Sequence, residues 1–233
     1  MKSIVWISLA GMMAVSAPAA ESETKSAVRS AAKKLVDKDN YSWTLLSKPE
    51  GTEQGFRMTT EGKTEKGGYT QLALTFGDRS SDLALKGGKV AVKQEQQWKA
   101  GDELDGPGAW LANFYKDFKA PAAETEDLLD KAKDLKAGAD GLYSGDLTEQ
   151  GLKAMFARWR PGGQGPEAKD VKGWVKFWIK DGALTKYEFN VQGKVAFGQD
   201  QNEMDVNRTT TVDIKDVGTT KVAVPEEARK KLS

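Results

Sequence analysis

Two series of short segments with alternating apolar residues, bounded by turn residues, constrain the fold of this chain most strongly. The first series runs from Tyr41 to Val92, and Leu72, Leu74 and Phe76 illustrate its period of two. The stretches KPEG, KGG, FGD and KGGK separate its strands. Connections this short permit hairpins and leave no room for crossover helices. The sequence therefore predicts an antiparallel sheet.

The last third of the chain shows the same pattern. Trp174–Lys180 (WVKFWIK) runs into Asp181-Gly182, which is a strong hairpin signal. The returning segment alternates through residues 187–191 and continues beyond Gly193. Residues 204–214 alternate again, and Lys221–Val224 is predicted as a final short strand. The second series therefore predicts further strands for the same sheet.

Helical spacing appears before, between and after these two series. Four stretches carry apolar residues at helical spacing: Ala27 to Val36, Trp110 to Phe118, Leu128 to Leu135, and Leu152 to Trp159. Gly106-Pro107-Gly108 is predicted to break the chain, Pro121 to start a helix, and Thr148 to cap the next one, after a short extended piece at 142–147. Pro225 starts a last helix, with acidic residues first and basic residues last. The order predicts an α+β fold in which one antiparallel sheet closes over a few helices.

The N-terminus has the pattern of a secretory signal peptide. Lys2 precedes an apolar run from Ile4 to Val15, and Ala17-Pro18-Ala19 supplies an A-x-A cleavage site. The run is too short to span a bilayer comfortably. We therefore expect cleavage after Ala19, which removes residues 1–19 and leaves a single exported, soluble periplasmic domain over residues 20–233.

The composition excludes several classes of enzyme. The chain has no His and no Cys, which excludes a Ser-His-Asp triad, a thiol nucleophile, a disulfide, a Cys-ligated zinc and a lipid-modified N-terminal cysteine. With 35 basic and 34 acidic residues the net charge is +1, so we expect no general attraction to nucleic acid. The acidic stretches and glycine-rich loops match neither a calcium loop nor a phosphate loop. We predict a protein that is not an enzyme, with no catalytic residues, metal site or cofactor.

The C-terminal third also carries a family resemblance. It rests on VKGWVKFWIKDGALTKYEF and on the ending TTTVDIKDVGTTKVAVPEEARKKL, together with the N-terminal helix and the signal peptide. This order of elements resembles the LolA/LolB-like superfamily of periplasmic lipoprotein and lipid carriers, and is similar to the LppX/LprG type of lipid-binding proteins. The resemblance implies a sheet curved into a half-open barrel over a few helices, which holds an acyl chain or a lipoprotein's lipid. The missing N-terminal cysteine implies a soluble member of the group.

Aromatic residues provide the candidate ligand site. Val175, Phe177 and Ile179 share one strand face, and Tyr187, Phe189 and Val191 can pair with them across the hairpin. A concave apolar sheet face suits an acyl chain, because each buried CH₂ contributes about 0.8 kcal/mol. The same alternation is also typical of a face that helices fill completely.

Two further aromatic groups leave alternatives open. Trp110 and Phe114 belong to a helix that is apolar over a wide arc, which is typical of a core helix and also of a lid or of a helix that touches a membrane. We include both residues in the candidate ligand site. Trp174 and Trp178 lie on the face opposite Phe177, where they can mark a partner surface or pack beneath the loop at 160–170.

We therefore expect a non-enzymatic periplasmic carrier or binding protein for a hydrophobic ligand, a lipid or a lipoprotein acyl chain, and we expect it to be a monomer. The alternative is a structural or regulatory envelope module with a filled core that binds protein partners.

Overall fold

The computed structural model describes residues 17–51, 57–158, 168–197 and 202–233. The apolar run at 4–15, Phe56, Trp159, the predicted loop at 160–167 and residues 198–201 lie outside the described residues. The helices described are α1 (Ala17–Val36), α2 (Gly106–Tyr115), α3 (Pro121–Lys131), α4 (Glu149–Arg158) and α5 (Glu226–Lys231). The predicted cleavage site after Ala19 falls in the first turn of α1.

The strands of the first series form a six-stranded meander. They are β1 (Asn40–Pro49), β2 (Met58–Glu65), β3 (Thr70–Phe76), β4 (Arg79–Lys86), β5 (Lys89–Gln94) and β6 (Gln97–Ala100). Consecutive strands pair antiparallel, as the short connections predict. The prediction did not include β6.

The remaining strands are β7 (Ala132–Ala137), β8 (Leu142–Leu147), β9 (Lys169–Lys180), β10 (Ala183–Phe197) and β11 (Asn202–Lys215). β8 is the extended piece predicted at 142–147, and β9 to β11 form the second series. Its last strand pairs with β1, so the described strands form one sheet in the order β6-β5-β4-β3-β2-β1-β11-β10-β9-β8-β7. Because β6 and β7 lie at opposite ends of this order, the sheet is open. The predicted α+β class with a single antiparallel sheet over a few helices is confirmed.

The inner face of the sheet carries the main core, and α1 to α4 pack against it. Trp43 on β1 lies over Gly62, its cross-strand partner on β2, where a Cβ would come within 2.1 Å of the indole ring. Gly173 on β9 likewise faces Leu152 of α4, and a Cβ there would come within 2.9 Å of that side chain. These two glycines allow a large ring and a helix to approach the sheet backbone closely.

The opposite face is covered near one end of the sheet by α5. Ala228 and Leu232 pack with Val224 on two strand residues, Ala84 and Ala91. Trp98 of β6 forms part of the same cluster. Trp98 thus packs β6 against α5.

Several predicted boundaries were wrong. The helix predicted through Leu135 ends at Lys131, and Leu135 enters the core from β7. The Gly106-Pro107-Gly108 segment begins α2 instead of breaking the chain, and Phe118 lies beyond the end of that helix. Residues 221–224 are not a strand. None of the helices in the described ranges combines the length and apolarity needed to cross a bilayer.

Candidate functional site

The predicted apolar face forms at the centre of the sheet, on β9 and β10. Tyr187 pairs with Phe177 and Phe189 with Val175, so the two strands contribute to one face as the hairpin pattern predicts. Phe177, Val175 and Tyr187 are fully buried. Val191 and Phe189 are buried, and Ile179 is partly buried against the same core. Ligand binding at these six residues stays a prediction.

The protein's own helices cover this face. The core cluster joins the face to Val28 and Leu35 of α1, to Leu128 of α3, and to Leu152 and Phe156 of α4. A ligand beneath these helices would therefore have to separate them from the sheet or occupy space at their margin.

Trp110 and Phe114 occupy a different position. They lie one helical turn apart on α2, with ring centroids 5.3 Å apart, and they are 44% and 37% exposed. The same helix buries Leu111 and Tyr115 against the sheet. Trp110 and Phe114 are therefore a surface pair beside the core, and they do not join the buried face on β9 and β10.

A continuous series of ring contacts links this surface pair to the interior. We call it the aromatic ladder, and in spatial order it consists of Trp110, Phe114, Tyr115, Phe118, Trp43 and Tyr41. Successive ring centroids are 5.3, 5.1, 5.9, 6.2 and 5.7 Å apart. The ladder starts at the exposed rings of α2 and ends on the buried rings of β1. Tyr41 and Trp43 were not predicted as part of the site, because nothing in the local pattern links β1 to residues about 70 positions further along.

Polar groups lie at the inner end of the ladder. The Tyr187 hydroxyl donates a short hydrogen bond to the Glu124 carboxylate, which is in the first turn of α3. Burial raises the pKa of Tyr187, and the negative charge of Glu124 raises it further. Burial also raises the pKa of Tyr41 to about 12, although the backbone amide of Ala122 at the start of α3 opposes this shift.

The pKa of the third tyrosine of this region, Tyr115, is also raised. Burial raises the pKa of Tyr115, the Thr60 hydroxyl opposes the shift, and the charge of Glu124 adds to it. One carboxylate and three neutral phenols thus lie inside the half-barrel. Such groups can orient a polar part of a ligand by hydrogen bonds.

A groove of about 650 Å³ opens at another place, between α2, α5 and the edge of the sheet at β5 and β6. Its lining includes four lysines and two carboxylates: Lys89, Lys116, Lys230, Lys231, Asp102 and Glu103. Lys231 pairs with Glu103, and Lys230 pairs with Glu226 at 2.9 Å. A lining with so many charges does not suit an acyl chain.

The two tryptophans on the outer face each contact a lysine. Lys176 Nζ lies 4.3 Å from the ring centroid of Trp174, and Lys186 Nζ lies 4.8 Å from that of Trp178. Both rings are half-buried. The loop predicted to cover them lies mostly outside the described residues, so the alternative of a partner surface stays open.

Comparisons with known proteins give matches at the level of structure. No family model matches the chain, and no curated protein matches it in sequence. The lipoprotein LppX of Mycobacterium tuberculosis is 8% identical, with a TM-score of 0.49 over 86% of this chain and 98% of that one. LprF of Mycobacterium bovis is 10% identical, with a TM-score of 0.47 over 89% and 98% of the two chains. A LolA superfamily protein of Nitrosomonas europaea is 10% identical, with a TM-score of 0.32 over 86% and 94%. At identities of 8–10%, these similarities concern the fold alone.

Proposed function

We propose that this protein is a non-enzymatic periplasmic binding protein or carrier for a hydrophobic ligand, a lipid or an acyl chain. The observation that carries the proposal is the aromatic ladder, which runs from the exposed rings of Trp110 and Phe114 to the buried ring of Tyr41. An acyl chain lying along it would remain in contact with apolar surface between solvent and core. Each CH₂ that leaves water there contributes about 0.8 kcal/mol to binding.

Helix α2 is the element that would move to admit the ligand. It is ten residues long, and only Gly108, Leu111 and Tyr115 of it are buried. Its N-terminal residue, Gly106, has a φ of +44°, which glycine adopts without strain and which makes this junction a suitable hinge. An element with few buried contacts opens at a lower free-energy cost than the rest of the fold.

The burial of Val175, Phe177 and Tyr187 favours a second candidate function. A face that α1, α3 and α4 already fill suits a structural or regulatory envelope module that binds protein partners and no lipid. The two candidates differ in whether an amphiphile binds at all, so a direct binding measurement separates them.

The test is a fluorescence titration of the purified protein with a fatty acid that carries a fluorophore. We expect binding at micromolar concentration. Replacing Trp110 and Phe114 together by alanine should weaken binding about tenfold, which corresponds to about 1.4 kcal/mol. This is less than full burial of two aromatic side chains provides, because both rings are already partly covered.

Leu46→Ala is the matched control, because Leu46 is another exposed apolar side chain, and it lies on β1 between Leu45 and Ser47, which face the inner side. It should leave the affinity unchanged. If the wild-type protein binds no amphiphile at micromolar concentration and carries no lipid in native mass spectra, the carrier proposal is wrong and the filled module remains. Equal weakening by the control and the double variant would show that the ladder has no special role.

A further inference from the structure

Arg208 places a positive charge on the inner face of the sheet. It lies on β11 directly opposite Val191 of β10 and Pro49 of β1. Cross-strand partners project to the same side of a sheet, and Val191 is part of the buried inner face. Val206 and Val212, two and four residues away on β11, also belong to the inner core. The guanidinium therefore lies on the side that the helices cover.

The Arg208 side chain is held by a buried serine. Its Nη2 donates to the Ser47 carbonyl oxygen at 3.1 Å and to Ser47 Oγ at 3.3 Å, and its Nε lies 3.4 Å from the same Oγ. Thr210 donates its own hydroxyl hydrogen to Ser47 Oγ at 3.1 Å. Ser47 and Thr210 are both buried. These bonds hold the guanidinium in one orientation, beside two hydroxyl groups.

The surroundings strengthen the interaction of Arg208 with an anion. Burial lowers the pKa of Arg208, but a guanidinium remains protonated in proteins at neutral pH. A charge that is partly removed from water attracts an anion more strongly than an exposed one does. A guanidinium also presents its N–H groups in a planar fork that matches carboxylate and phosphate oxygens.

The inner face carries a positive charge at one end, on Arg208, and a negative charge at the other, on Glu124. Glu124 lies at the Tyr187 hydroxyl, and Tyr187 is four residues from Val191 on β10, or about 13 Å along the strand. Between the two ends lie the apolar side chains of Phe189 and Val175, and Val212 lies opposite Tyr187. An anionic group would be attracted to the Arg208 end and repelled from the Glu124 end.

We propose that Arg208, with the Ser47 hydroxyl that Thr210 orients, binds the carboxylate or phosphate head group of an anionic amphiphile. The alkyl chain lies along Phe189 and Val212, toward the buried end of the aromatic ladder on β1. This inference rests on the proposed function, since it names the class of hydrophobic ligand. It adds that the ligand is anionic and that it binds in one orientation.

The experiment compares three probes with the same chain: a fluorescent fatty acid, the matching alkyl phosphate, and the neutral methyl ester. The wild-type protein should bind at least one of the two anions about tenfold more tightly than the ester. Arg208→Met should abolish this preference and change the affinity for the ester less than twofold. Arg208→Lys should keep part of the preference, and Arg79→Met, at an exposed arginine of β4, should keep all of it. The anion that binds more tightly shows whether the site is selective for a carboxylate or for a phosphate head group.

Two results would overturn the inference, and they differ from failure of the proposed function. Equal binding of anions and ester by the wild type refutes the role of Arg208 and leaves a carrier of neutral ligands. An unchanged preference in a folded Arg208→Met variant does the same. Absence of binding for all three probes refutes the proposed function and this inference together. The wild-type comparison needs no variant, so the inference remains testable even if Arg208→Met does not fold.

Discussion

At the scale of single residues, the hydroxyl of Tyr187 shows how a side chain on a predicted apolar face acquires a polar role. Tyr187 was predicted on that face because of its ring, and the ring is completely buried in the structure. The hydroxyl nevertheless bonds to Glu124, which lies 63 residues away in the chain. Nothing in the local sequence indicates that partner, because α3 and β10 come together only when the helices pack on the sheet.

This burial predicts a loss of stability in alkali. Burial raises the folded-state pKa of Tyr41 to about 12 and also raises the pKa values of Tyr115 and Tyr187, whereas a tyrosine in the unfolded chain has a pKa of about 10. The unfolded state therefore releases protons that the folded state retains. The stability that the neutral phenols provide is complete below about pH 10 and falls as the pH rises toward about 12.

The measurement is urea unfolding as a function of pH, with phenolate absorbance as a second signal. Tyr187→Phe removes one of these groups, so the loss per pH unit should become smaller by up to about 1.4 kcal/mol. If all five tyrosines of the chain ionise at pH 11 while the protein remains folded, the three phenol groups are not buried as the structure shows.

At the scale of elements, the N-cap at Thr148 is a helix boundary that the sequence predicts correctly. Thr148 was predicted to cap the helix that follows it, and its Oγ1 accepts the Gly151 amide at 3.1 Å while its carbonyl accepts the Leu152 amide at 2.9 Å. Replacing this hydroxyl by Thr148→Ala should cost about 1 kcal/mol of unfolding free energy. Thr148→Ser keeps the acceptor and should cost much less. Equal losses in the two variants, measured by urea unfolding, would show that the hydroxyl does not stabilise α4.

The missed boundary after α3 has an equally local cause. Leu128, Ala132 and Leu135 have helical spacing, so the pattern predicts one helix through all three. The chain becomes extended at Ala132, with a φ of −81° and a ψ of 145°, and Asp134 adopts a φ of +53° at an irregularity in the pairing of β7 with β8. That irregularity lets Leu135 reach the same core from a strand. Helical periodicity alone cannot distinguish this outcome from a longer helix.

At the scale of the whole molecule, the sequence predicts the two strand series but not how they join. Hairpin signals are local and identify neighbours such as β9 and β10. The pairing of β1 with β11, for example Trp43 with Ile214, connects residues from opposite ends of the domain. This pairing places Arg208 beside Ser47 and brings the predicted face next to Trp43. The apolar face on β9 and β10 and the aromatic residues of α2 were therefore predictable, and the extension of the ladder onto β1 and the Arg208 cluster were not.

The position of Val175 provides the decisive test between a carrier and a filled module. Its side chain is fully buried, with Phe189 opposite it on β10 and Gly145 opposite it on β8. Val175→Phe adds a ring at the centre of the predicted face. If the helices can separate from the sheet to admit a ligand, the same freedom accommodates the ring, and the ring then occupies ligand space. We expect a change in unfolding free energy below about 1 kcal/mol and at least a tenfold loss of affinity for the fluorescent fatty acid.

A filled core predicts the opposite result for the same substitution. Overpacking a well-filled core costs about 1–3 kcal/mol, and neither form would bind the fatty acid. Val217→Phe, at an exposed valine, controls for the added ring and should change neither stability nor affinity. The two hypotheses predict opposite changes in stability and affinity. Measuring the unfolding free energy and the fatty-acid affinity of Val175→Phe therefore decides whether the region beneath the helices binds a ligand or is a filled core.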